Sequence, residues 1–388
     1  MTKLEKLIKE LCPDGVEIRS LENCCNILDR KRKPVTKSAR EAGEYPYYGA
    51  NGIQDYVSDY IFDGIFILVG EDGSVITSTG NPVVTWAEGK IWVNNHAHII
   101  EQNASGDVLL RYLFHYIQTI DVTPLIHGNI PKLTGGDFRA LQIPVPPLHV
   151  QREIVRILDN FTELTTELTT ELTARRKQYE YYRDELLAFD ESLPFIALSE
   201  LCDIGDGLHG TPIYNDLGEY YFINGNNLSN GRIVFDAQTK RIAQAEYEKI
   251  EIPFGNTLLF SINGTIGNIA IYNGEKIALS KSAAYFNVIS DRLLLKYLYY
   301  ILQSGRTMTH FEKNSIGSTI RNLGLKTLRD YKIAIPSLEE QARIVSILDR
   351  FDTLCNDLTS GLPAEIEGRQ KQYEYYRDKL LTFQEVKA

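Results

Sequence analysis

Five cysteines are few for 388 residues, and Cys12, Cys24, Cys25, Cys202 and Cys355 form no Cys-x-x-Cys pair. An odd, unpaired set argues against a disulfide frame and a cysteine zinc site, and favours buried thiols in a reducing cytoplasm. No apolar run is long enough to span a membrane. The opening MTKLEKLIKELCPDG lacks the apolar stretch of a signal peptide and reads as a short amphipathic helix. Catalytic vocabulary is missing too. There is no Gly-x4-Gly-Lys-Ser/Thr phosphate loop and no Asn/Asp-Pro-Pro-aromatic motif of amino-methyltransferases; VPPL at 145–148 has the prolines alone. Glu88-Gly89-Lys90 reads as a turn rather than a nuclease metal site. His96 and His98 share one face of an expected strand without a third ligand nearby, so they read as packed or hydrogen-bonded. The chain is expected to hold no metal and no catalytic residue.

The net charge of −10 argues against nucleic acid when taken alone, but its distribution matters more. Acidic residues outnumber basic ones in 146–192 and 336–388, whereas 193–335 is near neutral. One stretch, RKRKPVTKSAR, carries Arg30, Lys31, Arg32, Lys33, Lys37 and Arg40 with no acid among them. A solvated loop explains such a run as well as phosphate contact does. Two further loops, DGLHGTPIYND (with His209, Thr211 and Tyr214) and KNSIGSTIRNLG (with Lys313, Asn314 and Arg321), hold donors and acceptors that suit base edges and phosphates, and a plain surface loop explains either of them equally well.

What dominates the sequence is repetition. KQYEYYRD occurs at 177–184 and again at 371–378. IPVPPLHVQREIVRILDNF (143–161) matches IAIPSLEEQARIVSILDRF (333–351) at an offset of 190, and Leu133 with Leu323 keeps that offset. LLRYLFHYI (109–117) pairs with LLKYLYYIL (294–302), and Cys25 aligns with Cys202. The order is the same in both copies, so the chain is a tandem duplication. Between the matched parts, 28–108 and 205–292 barely resemble each other beyond ILVGEDGSV against LFSINGTIG. The matched segments predict helices, with apolar residues every three or four from Ile154 to Leu172 and no proline between Pro147 and Pro194. One helix of roughly 60 Å is expected over about 149–189. Its counterpart should be interrupted at Gly361 and Pro363. The unmatched segments, with short β-branched and aromatic runs between Asn-Gly and Asp-Gly turns, predict β-rich modules. The N-terminal helix is placed to meet the C-terminal one, a plan that is circular. TELTTELTTELT (162–173) continues the leucine stripe and reads as a ruler within the long helix.

A Pro-Pro-Leu or Pro-Ser-Leu turn followed by a Gln-x-x-Ile-Val-x-Ile-Leu-Asp helix, present twice after dissimilar modules, resembles the specificity subunits of type I restriction–modification systems. YPYYGANG, WVNNHAH and NGNNLSNG also resemble segments of that family's modules. The resemblance covers the whole chain. It implies an α+β fold with two β-rich target recognition domains (1–145, with the short N-terminal helix, and 193–335). Two long antiparallel coiled-coil helical regions (146–192 and 336–388) would separate them in a pseudo-two-fold circular arrangement. It implies a non-catalytic subunit that reads a bipartite site in double-stranded DNA and positions two adenine-N6 methyltransferase subunits. Where restriction accompanies methylation, two restriction subunits join. S-adenosylmethionine would sit on the methyltransferase subunits, ATP and Mg on the restriction subunits, and no cofactor on this chain. The repeated Gln151, Tyr179, Tyr182 and Arg183, with Gln341, Tyr373, Tyr376 and Arg377, are then the residues expected to grip the two identical partners. With Tyr181 and Tyr375 the tyrosines span more than one helical face, so some are expected to pack between the helices, and a purely intramolecular role is the competing expectation. The competing expectation is a duplicated coiled-coil scaffold with no DNA role.

Overall fold

The computed structural model describes every residue except 1, 2, 74, 191, 249–251, 254, 318, 319, 358, 387 and 388. The chain forms two compact units: unit 1 is 1–167 with 366–388, and unit 2 is 168–365. The long helix α1 (Leu148–Leu186) is unbroken, about 58 Å at 1.5 Å per residue, and the unit boundary falls inside it. Its counterpart is two helices, α2 (Leu338–Asn356) and α3 (Leu362–Leu380). The break has a local cause. A side chain on Gly361 would lie 2.4 Å from the Thr353 carbonyl oxygen, so only glycine fits there. Asp357 turns the chain by accepting from the Thr359 amide at 2.8 Å. Among the described residues no helix is long and apolar enough to cross a membrane.

In unit 1 the module is a six-stranded sheet built from β1 (Cys25–Ile27), β2 (Ala42–Gly49), β3 (Gly52–Val57), β4 (Phe62–Gly70), β5 (Val84–Val93) and β6 (Ala97–Gln102). Its order is β1-β6-β4-β5-β2-β3. Alternation along β4 makes two cores. Ile67 and Val69 face the helical frame with Tyr112, Leu113, Ile154 and Leu158, while Phe66 and Leu68 face Ile91, Val93 and Ile99. The chain ends close on each other within this unit: Val16 donates to the Gln384 carbonyl at 2.9 Å, and Leu4 and Leu381 share the core.

Unit 2 repeats the centre of that sheet with β9 (Cys202–Asp206), β10 (Thr257–Ser261), β11 (Ile269–Tyr272) and β12 (Ala283–Val288), in the order β9-β12-β10-β11. This matches β1-β6-β4-β5 strand for strand, with the same antiparallel pairings (Ile67 opposite Ile100, Leu258 opposite Phe286). The modules that share almost no sequence therefore share a core. Where unit 1 adds β2 and β3, unit 2 adds a separate three-stranded sheet of 220–223, 240–242 and 277–279. Within unit 2, α1 and α2 run antiparallel. Tyr179 and Tyr182 pack on Phe351, while Arg176, one turn earlier, reaches the Cys355 carbonyl one turn later.

Candidate nucleic-acid interface

The basic loop of unit 1 divides into anchors and free cations. Arg32 is 12% exposed. It donates to Glu71 at 2.6 Å, to the Ala97 carbonyl at 2.6 Å and back to the Asp29 carbonyl at 2.9 Å. Arg40 lies 4.1 Å over the Tyr47 ring and donates to Asp55 at 3.2 Å and to the Val35 carbonyl at 3.1 Å. Both were expected to meet DNA; instead they hold the loop on the sheet. Trp92 adds an anchor by donating to the Lys33 carbonyl at 2.6 Å. That leaves Arg30, Lys31, Lys33 and Lys37 exposed, the four residues of the six that can reach a phosphate.

Asp29 is the pivot of this arrangement. It accepts from His98 at 2.7 Å and from the Ile99 amide at 3.0 Å. Burial pushes its carboxyl up, but the His98 hydrogen bond and the charges of His98 and Arg32 outweigh burial and hold it below the usual value. Asp29, Glu71 and His98 bring ligand-type atoms within 4.8 Å of one another. The trio nevertheless suits a cation already present. Arg32 and Lys132 (3.2 Å) pair with Glu71, and both nitrogens of His98 face oxygens, Asp29 and the Leu133 carbonyl at 3.1 Å. His98 is also stacked on Phe138, and His96 bonds Asp72 at the surface. Both histidines are hydrogen-bonded, but His96 lies in the turn before the strand and His98 has acidic neighbours that the sequence did not show.

In unit 2 the two candidate loops are brought to one edge by backbone bonds. Lys281 donates its amide to the Leu208 carbonyl at 3.0 Å, Asn263 to the Ser282 carbonyl at 3.3 Å, and Gly264 to the Arg321 carbonyl at 2.9 Å. His209 and Arg321 thus sit at the ends of a row of turns, both exposed, with exposed Lys281 between them. Lys281 was missed because a lone lysine in ALSKSAAY has no local pattern. His209 bonds Asp206 at 2.8 Å, Thr211 is exposed, and Tyr214 packs partly on Phe222. Lys313 and Asn314 are exposed at the end of the helix Gly305–Lys313, where Asn314 donates to the His310 carbonyl at 2.8 Å. Among the described residues no hydrogen bond ties these two to the row. Ser318 and Thr319, within the same candidate loop, lie outside the described residues.

The repeated helices sort the expected partner contacts in the same way in each unit. Gln151 and Gln341 are fully buried. Gln151 accepts from the Leu109 amide and donates to the Asp107 and Pro146 carbonyls, each at 2.8 Å. Gln341 does the same with Leu294, Arg292 and Pro336. They lock the helix start to the module and offer nothing to a partner, a correction to the expectation. Tyr179 and Tyr373 are also buried, with Arg183 and Arg377 lying over their rings at 5.6 and 5.8 Å. Tyr182 and Tyr376 stack on Phe351 and Phe161 and keep an exposed edge. Tyr181 and Tyr375, at 60% and 61% exposure, are the most open of the set. Their signal was there, since they share the repeat but fall off the leucine stripe.

Comparison with known proteins bears on the family and the fold. The family described as type I restriction modification DNA specificity domain matches residues 13–175 and 194–368. A type I restriction enzyme specificity subunit of Haemophilus influenzae is 40% identical over 98% of both chains. The EcoR124I/EcoR124II specificity subunit of Escherichia coli is 34% identical over 71% of both. Among solved structures, the S subunit of a type I system from M. genitalium has a TM-score of 0.56 at 15% identity, covering 94% of this chain and 96% of that one. A chain from a study of type I complex assembly reaches 0.58 at 18%, covering 95% and 98%; at such identities these two speak for the fold.

Proposed function

The chain belongs to the family of type I restriction–modification specificity subunits, and from that premise we propose that it reads a two-part DNA site and positions two methyltransferase subunits on it. As a specificity subunit it is not itself an enzyme. The observation that carries the reading is the contrast within the duplication. Where the two frames grip their modules they repeat their contacts residue for residue, while the loops on the same sheet plan differ. Two identical partners need identical seats, and two different half-sites need different readers.

In this reading Arg30, Lys31, Lys33 and Lys37 meet phosphates beside one half-site. His209, Lys281 and Arg321 face the other. With a net charge of −10, much of the electrostatic attraction to DNA comes from the partners. The seats for the methyltransferase subunits are the exposed tyrosine pairs, Tyr181 with Tyr182 and Tyr375 with Tyr376. Those subunits bind S-adenosylmethionine, take an adenine out of the stack and methylate its N6. Two ATP- and Mg-dependent restriction subunits complete the complex where it also cleaves, and the assembly works in the cytoplasm.

The test is replacement of residues 193–335 by the equivalent module of another specificity subunit, followed by mapping of methylated bases. One half-site should change and the other stay. Methylation altered in both halves would rule out independent readers, and a purified chain that transferred methyl groups alone would rule out the non-catalytic role.

A further inference from the structure

Each unit carries a short pinned loop with an exposed isoleucine at its tip. In unit 1, β7 (Ile126–His127) pairs with β8 (Lys132–Leu133), and Ile130 between them is 69% exposed. In unit 2, Ile316 and Asn322 exchange backbone hydrogen bonds at 2.9 and 2.8 Å, and Ile320 is 65% exposed. Ile130 and Ile320 are related by the 190-residue offset that relates the frames.

The docking of the two loops is also the same. Leu133 donates to the Glu71 carbonyl at 2.8 Å and Gly73 to the Pro131 carbonyl at 3.0 Å. Leu323 donates to the Ile262 carbonyl at 2.8 Å and Gly264 to the Arg321 carbonyl at 2.9 Å. Gly73 and Gly264 have φ of +77° and +78°, which glycine adopts without strain. A single exposed isoleucine needs no explanation. Two at equivalent, doubly pinned tips, on modules whose other loops diverged, point to one shared contact.

Their surroundings say what is contacted. Around Ile130 the acids of the adjoining turn are paired, Glu71 with Arg32 and Lys132 and Asp72 with His96. The loop that Arg32 anchors carries the exposed Arg30, Lys31 and Lys33. Ile320 is followed by exposed Arg321, with Lys281 along the same row of turns. An apolar tip among cations fits a DNA groove, where cations meet phosphates and the aliphatic group leans on a sugar or a base step.

We propose that Ile130 and Ile320 are apolar contacts to duplex DNA, one per half-site, which add affinity without choosing bases. The inference rests on the DNA-reading function above. Because one residue type serves two different readers, it acts on a feature both half-sites share.

The experiment uses the assembled complex with its methyltransferase subunits and a duplex bearing the methylated site. Ile130→Ala and Ile320→Ala should each weaken binding about tenfold, and the double variant about a hundredfold. Ile130→Leu should bind as the parent does. Assembly by size-exclusion chromatography and the methylated sequence should stay unchanged. Parental affinity in the double variant would overturn the inference, and so would loss of assembly, which would make the tips protein contacts. If the parental complex itself showed no preference for its site, the DNA reading would fail instead.

Discussion

The two units solve the same packing problem with one different residue at its centre. In unit 1 His115 is fully buried, donating to Asp159 at 2.8 Å and accepting from the Tyr373 hydroxyl at 3.0 Å. In unit 2 Tyr300 takes the place of His115 and donates to Asp349, the counterpart of Asp159, at 2.5 Å. A phenol that donates in this way leaves the equivalent tyrosine, Tyr179, without an acceptor. Its hydroxyl is buried with no hydrogen-bond partner, although Arg183 lies over its ring as Arg377 lies over that of Tyr373. The frames are thus identical where they grip the modules and different where helix meets helix. Duplication preserved the geometry, and divergence then changed the chemistry of one seat.

The largest effect should be the one the units share. Gln151→Leu and Gln341→Leu each strand an amide and two carbonyls at a buried helix start, and each should cost about 3 kcal/mol. Urea unfolding of both variants would test the equivalence. A loss below about 1 kcal/mol in either would mean water replaces the amide there.

A smaller effect should separate the units. Tyr373→Phe removes the hydrogen bond to His115 and should cost about 1 kcal/mol, whereas Tyr179→Phe removes an unpartnered hydroxyl and should cost nothing or stabilise slightly. Equal losses in denaturation would refute the assignment of the orphan hydroxyl.

These residues also show where sequence reasoning stopped. Offsets of 185 to 194 residues aligned His115 with Tyr300 and Tyr373 with Tyr179, because helical frames conserve spacing and side-chain type together. The sheet cores escaped notice, since a buried strand accepts many aliphatic residues and keeps no identity to align. The run from Arg30 to Arg40 gave composition without direction. An irregular loop has no period to reveal that Arg32 and Arg40 turn inward. Gln151 and Gln341 were legible as a repeat but not as a lock, because their partners Asp107 and Arg292 lie 44 and 49 residues upstream.

Acid should act on the units with opposite sign. Burial lowers the His115 pKa, with Arg111 and Arg377 adding to it against Asp159. A depressed folded value means that this stability is full above the ordinary histidine pKa and is lost as pH falls through the folded one. Asp352 in unit 2 behaves in reverse, since burial and the Asp349 charge raise it. Its contribution is full at low pH and lost as pH rises through the folded value. Between pH 7 and pH 5, amides of Leu110–Ile117 should therefore lose protection against hydrogen exchange by up to about 1 kcal/mol, while those of Leu295–Gln303 should not. His115→Tyr should remove the difference. Parallel losses in both helices would place the acid sensitivity elsewhere.

Shortening the one frame that is continuous should change stability little. Through TELTTELTTELT the helix is regular, with Thr166 and Thr173 hydroxyls donating to the carbonyls four residues earlier at 2.8 and 2.9 Å. Deleting Thr166 to Thr169 removes about 6 Å of helix and turns the face by roughly 40°, little more than one turn, so the leucine stripe survives. Folding should change by less than about 1 kcal/mol. The separation of the half-sites should change more visibly. At roughly 3.4 Å per base pair one copy is worth one to two base pairs, with DNA elasticity taking up the remainder. The interrupted frame, α2 and α3 with Gly361 between them, is the competing ruler. Methylome sequencing of the deletion strain decides between them: a gap shorter by one or two base pairs assigns the spacing to α1, and an active enzyme with an unchanged gap assigns it to the broken helix.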